Sequence, residues 1–401
     1  MNRSLAAQIV GRVMRSGAYS NVLVQSETRD LEARDAGHVR FLVFGTLRHL
    51  VRVDRVIRGY SKRPRIDPNV LDVLRVGAFE LLETDSPPHA VVNDAVEAAG
   101  TIGGPKAKGF VNGLLRSIER FGDPAPGDRV EIFGFDPEVL QMLDEAWGED
   151  VTGSFMAASL EPAATVARRR HDRVPVGDLQ AVSDVPGAYL VGTDMDPADW
   201  AIQDAASIVV GSSVVLEGQG PILDMAAAPG GKALHLFDRL EDPGRLILAD
   251  AHPRRIDRAR KRLRKSGWEG TWVLADGRKS PFADHSFDSV LLDAPCTGLG
   301  TLRRRPEIKL RVNSVDVRRM AAIQAAMIQE AVRITRPGGT VLYSVCTVTA
   351  AETIDQVSDL PARSPDNVPG IRWGNGTLLG PHLTGTDGMF VSCIDVPDHV
   401  S

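Results

Sequence analysis

Only three cysteines occur in 401 residues, at positions 296, 346 and 393. They are too few and too widely spaced for a disulfide framework, and no His or Cys pair has zinc-ligand spacing. A cysteine that matters here therefore acts as a thiolate, and no metal is expected. Long apolar runs are missing as well. The longest, Ala205 to Leu216, is broken by Ser207, Gly211, Ser212 and Ser213 and flanked by Asp204 and Glu217, so it cannot span a bilayer. The N-terminus interleaves Arg3, Arg12 and Arg15 with Leu5, Ile9 and Val13 and lacks an apolar signal core and a cleavage site, which makes a reducing cytoplasm the expected setting. The glycines and prolines show no collagen-like or low-complexity period. With 43% hydrophobic and 25% charged residues the chain has the balance of a globular protein of two or three domains.

Charge is unevenly placed. Residues 1–130 carry 19 basic and 15 acidic residues, or +4, leaving 28 against 37, or −9, for the rest. Arg40, Arg48, Arg52, Arg55, Arg58, Lys62, Arg63, Arg65 and Arg75 face only Asp54, Asp67 and Asp72 within their window, a candidate phosphate-binding surface. A solvated helix face is the competing reading.

From Leu5 to about Phe121, apolar residues recur at helical spacing, as in Leu71, Leu74, Ala78 and Leu81, and predict an all-helical domain. Asp67-Pro68 and Ser86-Pro87-Pro88 mark helix boundaries within it. The run Gly122-Asp123-Pro124-Ala125-Pro126-Gly127 reads as a linker, so the domains are placed at 1–125, 126–200 and 201–401, the middle one small and mixed with a helix at Pro137–Trp147. From Pro221 onward, short apolar runs alternate with helices: Ile222–Met225, Arg245–Ala249, Thr271–Ala275, Ser289–Leu292 and Thr340–Val345. That alternation predicts a doubly wound, mostly parallel sheet.

In such a sheet ligands sit at the strand carboxyl ends. The first strand is followed by Met225-Ala226-Ala227-Ala228-Pro229-Gly230-Gly231-Lys232, which matches neither the Walker spacing nor G-x-G-x-x-G. The next three strands end in Asp250, Asp276 and Asp293. Acidic residues there suit ribose hydroxyls and an adenine amino group, so an adenosine-containing ligand without polyphosphate is expected, and S-adenosylmethionine is the natural candidate. Each aspartate alone reads equally well as a helix cap. Cys296 and Cys346 follow neighbouring strands and flank the same cleft. Cytosine C5 takes a methyl group only after a thiolate has added at C6, and a second thiol helps remove the C5 proton and expel the enzyme. Such chemistry uses two thiols, and the residues alone do not say which attacks. Lys232 is a candidate source of the positive field a thiolate needs. Cys393, in the strand-like run Met389–Ile394, reads as a core residue.

These segments resemble the RsmB (Sun or Fmu) family of 16S ribosomal RNA cytosine-5 methyltransferases over nearly the whole chain. Val43–Arg48, Leu71–Leu82, Pro87–Asn93 and Phe110–Arg116 resemble its NusB-like helical RNA-binding domain. Ala227–Lys232, Asp293–Gly298 with Leu299–Lys309, and Tyr343–Thr347 resemble the signature motifs of its class I (Rossmann-like) S-adenosylmethionine-dependent methyltransferase domain. The resemblance implies that Ala226, Ala227, Ala228, Pro229, Gly230, Gly231, Lys232, Asp250, Arg255, Asp276 and Asp293 hold S-adenosylmethionine. It implies also that Cys346 attacks C6, that Cys296 assists release, and that Asp293 contacts the flipped base. The chain departs from the family at Ala226 (usually Cys), Val345 (usually Thr) and Glu352-Thr353 (usually Glu-Asn), and Arg168-Arg169-Arg170 stands where Arg-Val-Asn is expected, which puts RNA contacts there in doubt.

The target carbon is shielded in a stacked base, so the cytosine must be looped or flipped out. Arg303, Arg304, Arg305 and Lys309, next to Cys296, are the expected RNA contacts, with a second basic run at Arg254–Arg264. Two alternatives stay open: the same chemistry on transfer RNA or another ribosomal cytosine, and a non-enzymatic, antitermination-like RNA-binding factor. Binding of S-adenosylmethionine separates an enzyme from the latter.

Overall fold

The structure, a computed structural model, describes residues 2–124, 127–172, 174–192 and 195–398. The boundary expected between 125 and 126 lies outside the described residues. The chain divides into two compact units, one of residues 1–141, 159–162 and 302–312, the other of 142–158, 163–301 and 313–401.

The first unit is helical: α1 (Asn2–Ser16), α2 (Ser20–Glu27), α3 (Ala33–Arg48), α4 (Leu50–Tyr60), α5 (Pro68–Glu83), α6 (Pro88–Gly103), α7 (Pro105–Phe121) and α8 (Arg129–Phe133). The proline signals are helix starts. Asp67 caps α5 by accepting from Asn69 and Val70 N–H groups, with Pro68 in the first turn, where its missing donor costs nothing. The apolar stripes converge on one core that includes Val10, Leu42, Val43, Ile57, Leu74, Phe79, Val111 and Leu115.

The candidate phosphate-binding surface of this unit is corrected by its ion pairs. Arg75 donates twice to Asp54 at 2.7 Å and to Asp72 at 3.0 Å, Arg55 donates to Asp123 at 2.7 Å, and Arg52 is held by Glu83 and Asp123. Arg48 is buried and donates to the Arg303 carbonyl at 2.7 Å. These four cations are consumed inside the unit, three of them by acids that include two beyond the sequence window and Arg48 by a carbonyl. Arg40, Arg58, Lys62, Arg63 and Arg65 remain exposed.

After α9 (Pro137–Trp147) and α10 (Glu149–Ser159), the second unit has an antiparallel three-stranded sheet of β1 (Val166–Arg169), β2 (Ala188–Leu190) and β3 (Trp200–Ile202), in the order β2-β1-β3. The triple arginine is explained by strand alternation. Arg168 and Arg170, on one face, converge on buried Asp238 at 2.6 and 2.8 Å, whereas Arg169 turns the other way to Asp172.

Next come α11 (Ala205–Ser213), β4 (Ile222–Asp224), α12 (Gly231–Arg239), β5 (Leu246–Asp250), α13 (Pro253–Lys265), β6 (Thr271–Leu274), β7 (Phe287–Asp293), α14 (Ser314–Ile334), β8 (Thr335–Val345) and α15 (Ile354–Val357). The chain then forms β9 (Ala362–Arg363), β10 (Ile371–Trp373), β11 (Gly376–Leu379) and β12 (Met389–Asp395). The sheet order is β10-β11-β12-β8-β7-β4-β5-β6, with β9 beside β12. Strands β4 to β8 are mutually parallel, and β9 to β12 extend the sheet antiparallel. The doubly wound, mostly parallel sheet expected from the alternation is thus present, and with it the Rossmann-like architecture that the resemblance implied. From β4 the chain winds one way through β5 and β6 and the other way through β7 and β8. The carboxyl end of β4 is therefore the topological switch point, where a crevice must open.

Candidate active site

The loop after β4 is shaped by backbone demands. Met225 N–H donates to the Leu291 carbonyl at 2.9 Å and Ala227 N–H to the Ala249 carbonyl at 2.9 Å, which pins the loop across both neighbouring strands. Gly230 has φ +95°, a conformation that side chains disfavour, and it starts α12. A cavity of about 200 Å³ opens here, lined by Asp224, Ala226, Ala227, Ala228, Pro229, Gly231, Lys232 and Asp293, together with Ile202, Gln203, Ser207 and Arg262.

Asp250 braces the loop from behind. It is 3% exposed, accepts from Ala228 N–H at 3.3 Å and from His252 N–H at 2.9 Å, and lies 3.4 Å from Arg255, which itself donates to the Ala228 carbonyl at 2.5 Å. Asp276 is exposed and ion-paired to Arg278 at 2.7 Å, which pulls its pKa down to about 2. Asp250, Arg255, Asp276 and Gly230 lie outside the cavity lining, as do both motif cysteines.

Asp224, Gln203 and Ser207 line the cavity without having been expected as site residues from the sequence, and Arg262, expected only as part of the basic run Arg254–Arg264, lines it with them. Asp224 is the informative one. Its carboxylate is 1% exposed, and neither oxygen has a partner in good hydrogen-bond geometry among the described residues, the Ala226 N–H and the Lys232 cation only partly offsetting its burial. Burial, reinforced by Asp293, pushes its pKa up to about 8. Gln203 Oε1 is likewise buried and unpartnered among the described residues. Orphaned acceptors in a cavity call for a donor from a ligand. The sequence signal was an acid at a strand end, which the other strands share.

Lys232 bridges the cavity and the thiols. Its ammonium donates to Asp293 at 2.8 Å, and Asp293 also accepts from Ser344 Oγ at 2.9 Å. Burial lowers the lysine pKa, but Asp293, then Cys346 and Asp224, outweigh it and hold the group cationic. Parallel pairing sets Asp293 opposite Ser344, so the segments leaving β7 and β8 run side by side. Cys296 Sγ and Cys346 Sγ lie 3.2 Å apart. The hydrogen bond to Cys346, with burial, raises the Cys296 pKa well above that of a free thiol. Gly300 N–H donates to the Cys346 carbonyl at 3.0 Å, and a Cβ on Gly300 would meet the Gly388 carbonyl at 1.9 Å, so this crossing requires glycine. Cys393 is 1% exposed within β12, away from this pair in register.

The expected RNA contacts are placed differently. Residues 302–312 belong to the helical unit. There Glu307 accepts from Ser20 N–H and Oγ at 3.0 and 2.7 Å, and Lys309, 4% exposed, donates to the Arg48 carbonyl at 2.7 Å. Burial, then Arg48, pushes the Lys309 pKa down to about 7, so this lysine works as an internal tether. Arg303 donates to the Pro162 carbonyl at 3.1 Å, Arg304 is half-buried, and Arg305 is exposed. A different basic surface stands out on α13. Arg254, Arg258, Lys261 and Arg262 are exposed, and Arg254, Arg258, Lys261 and Lys265 form one exposed stripe opposite the buried Ile256, Ala259 and Leu263.

Residues 214–394 match the family model described as 16S rRNA methyltransferase RsmB/F, and residues 1–120 match the NusB family. A Mycobacterium tuberculosis protein named as a methyltransferase is 32% identical over 98% of this chain and 96% of its own length. The ribosomal RNA small subunit methyltransferase B of Klebsiella pneumoniae is 30% identical over 91% of this chain and 90% of its own. Among solved structures, PH0851 superposes with a TM-score of 0.80 at 20% identity, covering 98% of this chain and 99% of that one, a likeness of fold. Among the described residues, no helix is long and apolar enough to cross a membrane and no cluster of metal ligands is found.

Proposed function

The chain belongs to the 16S rRNA methyltransferase RsmB/F family, and from that premise we propose that it methylates C5 of a cytosine in small-subunit ribosomal RNA through a covalent adduct with Cys346. The observation that carries the reading is the 3.2 Å approach of Cys296 and Cys346 beside the Lys232–Asp293 ion pair. A lone thiol would be compatible with many roles. Two in contact, next to a cation and a cavity, suit a reaction that needs one thiolate and one protonated partner.

S-adenosylmethionine, when bound, supplies an electrophilic methyl group. The residues of the cavity fit it: the unpartnered Asp224 carboxylate and Gln203 carbonyl seek donors, as an amino-acid ammonium provides, and the loop 226–232 leaves room for close approach. Asp250, Arg255 and Asp276 would serve the nucleoside end. The Lys232 cation stabilises the Cys346 thiolate, while Cys296 keeps its proton. Cys346 forms a bond to C6, which places electron density on C5. Once C5 carries the methyl group, its remaining proton passes to a solvent water with the help of Cys296, the C5–H electrons re-form the C5–C6 double bond, the C6–S bond breaks, and Cys346 leaves as thiolate. Asp293, which holds Lys232 and Ser344, accepts in this reading from the amino group of the base.

The grip on RNA is assigned to the α13 stripe and Arg305 rather than to Lys309. Like charges at i,i+4 in α13, as at Arg254/Arg258 and Lys261/Lys265, each cost about 0.2–0.5 kcal/mol, a cost that a polyanion removes. The test is methyl transfer to small-subunit RNA, read by bisulfite sequencing. Cys346→Ala abolishes protection of a single cytosine, and Cys296→Ala retains RNA covalently on the protein. Full activity of Cys346→Ala refutes the assignment.

A further inference from the structure

Glu352 touches neither the cavity nor the thiols, yet it is hydrogen-bonded to the segments that carry both of them. It is fully buried. Its Oε1 accepts from Thr297 N–H at 2.8 Å and from Gln324 Nε2 at 3.2 Å, and its Oε2 from Thr297 Oγ1 at 2.6 Å and Thr349 Oγ1 at 2.9 Å. Thr347 Oγ1 lies 3.1 Å from Oε2 and 2.8 Å from Thr297 Oγ1. Thr297 follows Cys296, and Thr347 follows Cys346. One carboxylate thus holds the first residue after each thiol. Gln324 carries the network further, donating also to the carbonyl of Pro295, the residue before Cys296.

We propose that Glu352 is the positioning residue of the thiol pair, tying the two cysteine loops into the one arrangement in which their sulfurs meet. The inference rests on the roles given above to Cys296 and Cys346. Its physical case is the cost of the alternative. A buried carboxylate with no cation within ion-pair distance among the described residues is expensive, and an apolar side chain would serve packing better. Only an ionised carboxylate accepts at both oxygens from donors on both loops, because an amide in its place turns one acceptor into a donor facing Thr N–H or hydroxyl protons. Its negative charge also opposes ionisation of Cys296, in keeping with that thiol retaining its proton while Cys346 reacts.

The test uses the full chain and phenylarsine oxide, which condenses with two adjacent thiols to form two As–S bonds and release one water. Wild-type protein binds one equivalent, and Cys296→Ala or Cys346→Ala binds none. In Glu352→Gln the arsenical affinity falls roughly tenfold, as expected for loss of a charge-assisted hydrogen bond. The same variant loses about 100-fold in kcat with little change in KM for RNA, the signature of misplaced reacting groups. Binding of S-adenosylmethionine by calorimetry confirms that it is folded. Should Glu352→Gln fail to fold, Thr297→Val and Thr347→Val each cut one loop free and lower arsenical affinity and kcat together, and Thr297→Ser restores both. Wild-type arsenical affinity and kcat in Glu352→Gln, or in both valine variants, overturns the proposal. The arsenical reads thiol geometry without assuming methyl transfer, so an active Cys346→Ala protein refutes the function while leaving this measurement to judge Glu352 separately.

Discussion

Replacing Asp224 with asparagine makes the ligand-free protein more stable, and increasingly so as pH rises. Asp224 is 1% exposed, unpartnered and beside Asp293, with a pKa pushed up to about 8 from an ordinary value of 3.8. The folded state therefore keeps a proton that the unfolded state has lost anywhere between these values. Stability changes with pH in proportion to protons bound by the unfolded minus the folded state, here a negative difference, so stability falls as pH rises from about 4 to about 8. At 1.36 kcal/mol per unit, the cost at pH 7 is on the order of 4 kcal/mol. Asparagine has the same shape and no charge to suppress. The difference in melting temperature, variant minus wild type, should be near zero at pH 4 and grow to roughly 8–16 °C at pH 7 at about 2–4 °C per kcal/mol. Differential scanning calorimetry at several pH values measures it, and groups shared by both proteins cancel. Parallel profiles would show that Asp224 is solvated or partnered, and with that the case for an orphaned acceptor in the cavity fails. The same substitution weakens S-adenosylmethionine binding, a separation of stability from function expected at a site that holds strain for a ligand.

The buried triad of Arg168, Arg170 and Asp238 makes the opposite case: Asp238→Asn strands two guanidinium groups and should cost about 3–5 kcal/mol, lowering the melting temperature while leaving RNA affinity at fixed salt unchanged for the folded protein. A loss of RNA affinity without loss of stability would return the triple arginine to the RNA surface. On α13, replacing Arg254, Arg258, Lys261 and Lys265 by glutamine should reduce the slope of log affinity against log salt by about 3, at about 0.7 per contact with single-stranded RNA, and leave S-adenosylmethionine binding intact. An unchanged slope, measured by filter binding between low and moderate salt, removes α13 from the RNA path.

Local patterns carried much of this protein into view. Proline and aspartate mark the start of α5, the alternation of apolar runs with helices marks β4 to β8, and the seven-residue strand β12 shows in Met389–Ile394. Strands β9 to β11, two to four residues long, are too short for a period to register. The sign of the basic clusters was legible because charge is a property of composition, but their employment was not. Arg75 and Arg168 need acids that the chain delivers from other elements, and Lys309 reads as a grip until burial against the Arg48 carbonyl shows it to be a tether.

At the cysteines the division is sharpest. Sequence by itself set the order of strands, turns and reactive side chains, and the family to which they point, because each motif is a short stretch whose chemistry is local. Cys296 and Cys346 are fifty residues apart. Only the parallel register that sets Asp293 beside Ser344 puts them in contact, and only folding brings Glu352 under both loops and strips Asp224 of water. Proximity and desolvation arise from pairing distant segments, and they convert an ordinary thiol or carboxylate into a functional one.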